Sequence, residues 1–291
     1  MALDTYALVT LQNLKDWLGI TVTTYDTILE NLINSTTYGI ERYIGRSVKA
    51  RDYILFADPE GSNTILLPQY PVVSCAYVGY GVQTAMIVSA STTTADLTAT
   101  VEVRENFLRY YRNTSTTQAI TADLDFTLGS GIYPTVAQMA VALDAVTGFD
   151  VSVVANYPMR YLHKTGPINV VQSSANLTCP SQTATGYRLE LATGLLHMPR
   201  SWRSDDWGDE DEDGFGNGKQ TVVIEYNAGY STVPYDLQQA TLEIAGAAYR
   251  ARFKDANVDS ETLGDYSYTS AVRDAAKDLL DGLLGSWREI R

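Results

Sequence analysis

Cysteine and histidine are nearly absent from the 291 residues, with two of each. Cys75 and Cys179 are too few and too far apart for a disulfide framework or a zinc knuckle, and they read as buried free thiols. His163 and His197 stand in no HExxH-like ligand spacing, and no GxSxG or P-loop sequence occurs. The glycine-rich pieces GSG (129–131) and GFGNG (214–218) lack the strand–turn–helix setting in which backbone amides cradle phosphate. No enzyme is expected on these grounds. A hydrolase built on either histidine with a carboxylate partner ranks third, behind two non-catalytic readings. No stretch approaches the roughly 20 apolar residues of a membrane helix. The opening MALDTYALVTLQNLKDW has neither a basic start nor an apolar signal core, so the expectation is a protein made in the cytoplasm with no membrane partner. Basic charge is short as well: 21 Lys and Arg face 34 Asp and Glu, a net charge of −13. Nucleic-acid binders gain affinity when cationic side chains displace counterions, so tight DNA binding is disfavoured, although DNA passing nearby is not.

What is present suits a folded chain: 45% hydrophobic and 19% charged residues, with 20 tyrosines against 6 phenylalanines. Tyrosine favours surfaces that bury a ring and keep a wet hydroxyl, as strand-rich proteins and subunit interfaces do. In VTLQNLKDWLGI, Thr10 caps a short helix with Leu11, Leu14 and Leu18 on one face and Gly19 as its stop. Asp26 caps a longer one, with Thr27 and Glu30 at capping-box spacing and Leu29, Leu32, Ile33, Thr36, Ile40 and Ile44 as its stripe, closed by Gly45. Short alternating segments follow, in DYILFADPEGSNTILLP and QYPVVSCAYVGYG. From Val82 the composition turns to Thr, Ser, Ala and Val, and TAMIVSAS, LTATVEVRE, NFLRYYRN, ADLDFTLGSGIY and FDVSVVAN read as strands around one helix in PTVAQMAVALDAVTGF. Residues 82–165 are thus expected to be a small α+β module inserted into a core made of 1–81 and 166–291. RLELATGLLHMPRSW and KQTVVIEYNAGYS are strands flanking an acidic stretch. A helix over 234–253 starts at Val233-Pro234, its small residues wide enough for packing on more than one side. A tail helix over 270–291 presents Leu279, Leu280, Leu283, Leu284, Trp287 and Ile290. The fold class is α+β, a helical core with antiparallel β segments and the inserted module.

The acidic stretch DDWGDEDEDGFGNG carries Asp205, Asp206, Asp209, Glu210, Asp211, Glu212 and Asp213. Asp209, Asp211, Asp213, Gly214 and Asn217 fit a calcium loop, with the Phe215 carbonyl between them, but the closing bidentate Glu is replaced by Gln220 and no helices flank it. A calcium site on Asp209, Asp211, Asp213 and Asn217 therefore stands behind a solvated negative hairpin loop over 204–219. Adjacent exposed acids also lack the unequal environments that acid–base catalysis by carboxylate pairs needs.

Three pieces, in order, resemble the head-to-tail connector (adaptor) family of tailed bacteriophages: TLQNLKDWLGITVTTYDTILENLINSTTYGIERYIGR, KQTVVIEYNAGYSTVPYDLQQATLEIAGAAYRAR and SETLGDYSYT. The resemblance implies a structural virion protein of the neck, assembled in the host cytoplasm as a homo-oligomeric ring, commonly of twelve copies. Such a ring sits under the portal protein, receives a stopper or tail-completion protein, and lets DNA through without binding it specifically. It further implies that the tail helix docks on the portal, for which packing within its own chain is the equal alternative. The acidic loop would line the channel or face a partner. The runner-up is a binding module, in which the inserted segment touches capsid, tail or a glycan.

Overall fold

A computed structural model describes residues 2–58, 63–90, 96–114, 120–126, 132–197, 221–252, 260–263, 266–269, 282 and 284–287. Its first helix, α1 (Leu11–Leu18), begins where the Thr10 hydroxyl accepts the Asn13 amide at 3.1 Å and ends where Gly19 turns left-handed at φ 69°. The second, α2 (Asp26–Ile44), ends likewise at Gly45. Its start differs from the sequence reading. Tyr25 is the cap and makes no side-chain bond, while Asp26 is the first helical residue and turns to Lys15 Nζ at 2.7 Å. A carboxylate held by a nearly buried ammonium is not free to cap the helix, though its charge still suits the helix N-terminus.

The strands are β1 (Arg51–Ala57), β2 (Thr64–Leu66), β3 (Val72–Tyr80), β4 (Gln83–Ala90), β5 (Asp96–Val103), β6 (Phe107–Thr114) and β7 (Ile120–Asp125). Helix α3 (Val136–Asp144) follows, then β8 (Phe149–Val153), β9 (Ile168–Asn169), β10 (Ser174–Cys179), β11 (Gln182–Thr183), β12 (Arg188–Glu190), β13 (Leu195–His197) and β14 (Val222–Ala228). Helix α4 (Tyr235–Ala251) precedes a hairpin of β15 (Ser260–Leu263) and β16 (Tyr266–Thr269). The sheets are antiparallel and run β1-β14-β3-β11, β12-β13-β2, β10-β4-β8 and β7-β6-β5-β9. The mixed α+β class is as read. Among the described residues no helix is long and apolar enough to cross a membrane.

The hydrophobic core divides by region. The inserted unit closes around Met86, Val101, Leu108, Met139, Leu143 and Leu177, all fully buried. β9 pairs with β5 and β10 with β4, so this cluster runs on to Cys179. The sheet β1-β14-β3-β11 lays Val222, Ile224 and Tyr226 against Ile65 and Leu196 of the small sheet and against Leu67, just past β2. At the helical end α4 runs antiparallel to α2. Its Leu237 and Ala240 meet Ile40 and Ile44, while its Ala245 and Tyr249 meet Leu14, Leu29 and Ile33. Gly246 lets the Trp17 ring come close, since a Cβ there would sit 3.3 Å from it. Each fully buried Leu or Ile here contributes about 1.5–3 kcal/mol relative to exposure.

Candidate assembly surfaces

The C-terminal tail meets the helical end at a notch built from three separate pieces of chain. Gly229, at φ 116°, allows β14 to turn against the opening strands, where a Cβ would lie 2.8 Å from the Lys49 and Ala50 backbone. This turn pins Tyr230, whose amide donates to the Val48 carbonyl at 2.7 Å and whose carbonyl accepts the Ala50 amide at 3.1 Å. Asp236 lies in the first turn of α4, where its negative charge is favourable. Arg46, just past the end of α2, donates to the Tyr70 carbonyl at 2.9 Å and lies 4.3 Å over the Tyr70 ring. Into this frame Trp287 sets its indole: Nε1–H donates to Asp236 Oδ2 at 2.7 Å, and the ring meets Tyr230 edge-on at 5.8 Å. Arg46 lies 5.8 Å over the Trp287 ring, and Leu284 is fully buried beside Ile44 and Leu237.

Leu284 and Trp287 are thus placed on their own chain, and Gly285–Trp287 forms a 3-10 turn where a continuous tail helix was expected. The tight turn lets Leu284 enter the core while Trp287 reaches Asp236. Leu279, Leu280, Leu283 and Ile290 lie outside the described residues. So do Asp205, Asp206, Asp209, Glu210, Asp211, Glu212, Asp213 and Asn217. The strands flanking that acidic stretch are described: β13 pairs with β12 and β2, and β14 with β1 and β3. They belong to different sheets. Among the described residues no group of three or more potential metal ligands occurs.

Several large apolar side chains remain on the surface. Tyr38 of α2 is 70% exposed, Tyr235 at the start of α4 is 87% exposed, and Ala247 and Ala248 of α4 are exposed as well. On the inserted unit Ile132, Val141 and Val154 are exposed. A cleft of about 330 Å³ opens between the N-terminal segment and the loop before α4, lined by Leu3, Leu8, Asn13, Lys49, Thr232 and Gln238 among others. Neither histidine borders it. His163 is buried, with Nδ1 2.9 Å from Thr178 Oγ1, and burial pushes its pKa below the ordinary imidazole value. His197 lies on a surface ladder, 3.2 Å from Thr64 Oγ1 and 3.6 Å from Glu190. Burial also raises both thiols above their ordinary range, which keeps Cys75 and Cys179 protonated and unreactive.

The sequence reading missed the notch, although two of its parts stand in quoted pieces: Arg46 closes the first, and Asp236 follows VPY inside the second. What no local pattern carries is that both reach Trp287.

Residues 8–76 match the family model described as phage gp6-like head-tail connector protein. That segment holds α1, α2, β1, β2 and part of β3. Among solved structures it is similar to a chain in the neck of an empty gene transfer agent (GTA) particle computed with C6 symmetry, at 11% identity and a TM-score of 0.39. It is similar also to a chain in the virion of a native GTA particle, at 14% identity and a TM-score of 0.39. Both likenesses cover 100% of this chain and 94% of the other. No curated protein matches the chain.

Proposed function

We propose that this protein is a structural subunit of the neck of a phage-type particle, a head–tail connector that works in the virion and is not an enzyme. The observation that carries the reading is the connector match over 8–76, because those residues build α1, α2 and the strands they rest on, the frame of the helical end. In this reading copies close into a ring under the portal, of twelve copies in the arrangement the resemblance implies, with a stopper or tail-completion protein on the other side. A ring of identical chains needs two unlike surfaces per subunit. The exposed Tyr38 on α2, and Tyr235 with Ala247 and Ala248 on α4, support such a pair.

In the tail, Leu284 and Trp287 act as the anchor, which leaves Leu279, Leu280, Leu283 and Ile290 as the portal-docking residues. The acidic stretch from Asp205 to Asp213 faces the channel or a partner, where like charge keeps DNA phosphates from adhering. A second reading concerns the inserted unit alone, whose exposed Ile132, Val141 and Val154 favour contact with capsid, tail or glycan. Antibody labelling of intact particles tests the main reading: label is expected at the head–tail junction. Label over the capsid lattice or the distal tail would sink it.

A further inference from the structure

The chain passes between the four-stranded sheet and the inserted unit twice, side by side. One crossing is at Gly81–Val82 and the other at Pro180–Ser181. There the β3/β11 ladder, ending at Tyr80 and Gln182, runs on into the β4/β10 ladder, which begins with Gln83 opposite Cys179. The Ser181 amide donates to the Tyr80 carbonyl at 3.1 Å, and Gln83 Nε2 to the Pro180 carbonyl at 3.0 Å. Gly81 takes φ 74° with Ser181 Oγ in the space a side chain would need. By itself a two-stranded ribbon is a hinge: it twists readily and fixes no angle between the bodies at its ends.

Two further contacts lie away from the ribbon, on one face of the sheet. A 3-10 turn over Met159–Tyr161 brings Arg160 and Tyr161 down onto it. The Tyr161 hydroxyl donates to Glu225 Oε2, Arg160 Nε donates to the same oxygen at 3.2 Å, and Arg160 Nη2 lies 3.3 Å from the Tyr161 oxygen. The Tyr161 ring stacks on Tyr77 at 4.2 Å and 7°, and Tyr77 in turn lies over Gly79, where any side chain would strike the ring. Tyr77 is the direct partner of Glu225, so both side chains leave the same face. On the next strand, Phe56 of β1 shares that face, because Ile54 pairs with Glu225 and Phe56 with Val223. Lys164 of the unit stands 4.9 Å over the Phe56 ring. Val223, between these contacts, is fully buried although it points away from the core that Val222 and Ile224 enter.

We infer that the inserted unit is locked to the core sheet through Glu225, Tyr161, Arg160, Tyr77 and the Lys164–Phe56 contact, so that unit and core turn as one rigid body. The argument is mechanical. Contacts on β3, β14 and β1 span three neighbouring strands, about 10 Å in all, in addition to the ribbon. Three points that are not on one line remove the rotations a single ribbon leaves. Glu225 is the shared acceptor of two donors from the unit, and such charge-assisted bonds are the stronger kind. β14 continues through Gly229 into α4, so anything that docks on the unit pulls directly on the element that seats the helical end.

The test is a distance distribution between labels carried by unnatural amino acids at positions 38 and 141, both on exposed helix faces. Labelled chain is diluted in excess unlabelled chain so that only distances within one subunit are read. The native chain is expected to give a single narrow population; a broad or split one overturns the lock. A variant combining Glu225→Gln with Lys164→Ala is expected to lose that narrow population while α1, α2 and the unit's own strands keep their amide protection. An unchanged distribution would show that the lock lies elsewhere. Tyr161→Phe keeps the ring stack and removes only the hydroxyl, so it carries the same test should the first variant not fold.

Discussion

At the helical end charge is brought inside. Lys15 meets Asp26 at 2.7 Å with its own side chain nearly covered, and Arg51 holds both oxygens of Glu41 at 2.7 and 2.9 Å beneath the Tyr6 ring. In the inserted unit the corresponding pair, Arg109 and Asp123, meets at the same 2.7 Å but lies on the surface across β6 and β7. The interior of the unit is mostly apolar, with Arg112 and His163 as its buried polar side chains among the described residues. Distance is equal and consequence is not. An exposed pair is screened by water and gives little, whereas a covered one has already lost its hydration and fails badly if half is removed. The helical end is therefore sensitive to lost charges and strained turns, and the unit to cavities.

The largest expected effect breaks the unit alone. Leu108→Ala, which empties a fully buried site between β5 and β7, should cost about 3–4 kcal/mol. By hydrogen exchange, protection should fall across β4–β10 and hold in α1, α2 and α4. Equal loss in both would mean that the two regions do not fold separately. Gly229→Val should come next, at about 2–3 kcal/mol from the backbone conformation and the crowding by Lys49 and Ala50, read as a lower thermal midpoint of the helical end. Arg51→Met, which leaves the largely covered Glu41 without its guanidinium, should cost about 2 kcal/mol. Adding Glu41→Gln should recover part of it, while Arg109→Met should leave the melting curve unchanged. A loss at Arg109 equal to that at Arg51 would remove the contrast.

The smallest effect is one of pH. His163 is buried and its Nε2 has no hydrogen-bond partner, so the imidazolium would be poorly solvated, and burial makes the folded ring titrate below its ordinary 6.5. The unfolded chain then takes up the proton first. Stability is full above about pH 6.5 and falls as pH drops below it. In His163→Gln, denaturant midpoints measured down the same range should lose that part of the slope. An identical slope would place the acid sensitivity elsewhere.

The same contrast governs what could be read in the sequence. Helical signals are local, so Thr10, Gly19 and Gly45 marked their helices correctly, and the stripe from Leu29 to Ile44 is the buried face. Strand existence was legible too, from TAMIVSAS through FDVSVVAN. Strand partnership was not, because it is settled by residues far away. RLELATGLLH looked like one alternating segment. It is two strands, because Gly194 turns at φ 71° against Leu67, and β13 then pairs with β2 from far up the chain. The alternation of Ala175, Leu177 and Cys179 is plain in SANLTC, yet only its pairing with β4 assigns it to the inserted unit. The tail shows the remaining gap. Leu284 and Trp287 were visible as an apolar face, but the notch that receives Trp287 comes from Arg46, Tyr230 and Asp236, which periodicity never brings together.

The central claim is that this chain is a ring subunit of a particle neck. Native mass measurement of the purified protein with its portal, combined with projection images of the same sample, tests it most directly. The account predicts a closed ring of identical copies with an open centre, seated on the portal and of a mass that is a whole multiple of 31.9 kDa above it. A single 31.9 kDa species that stays apart from the portal at every concentration would contradict it.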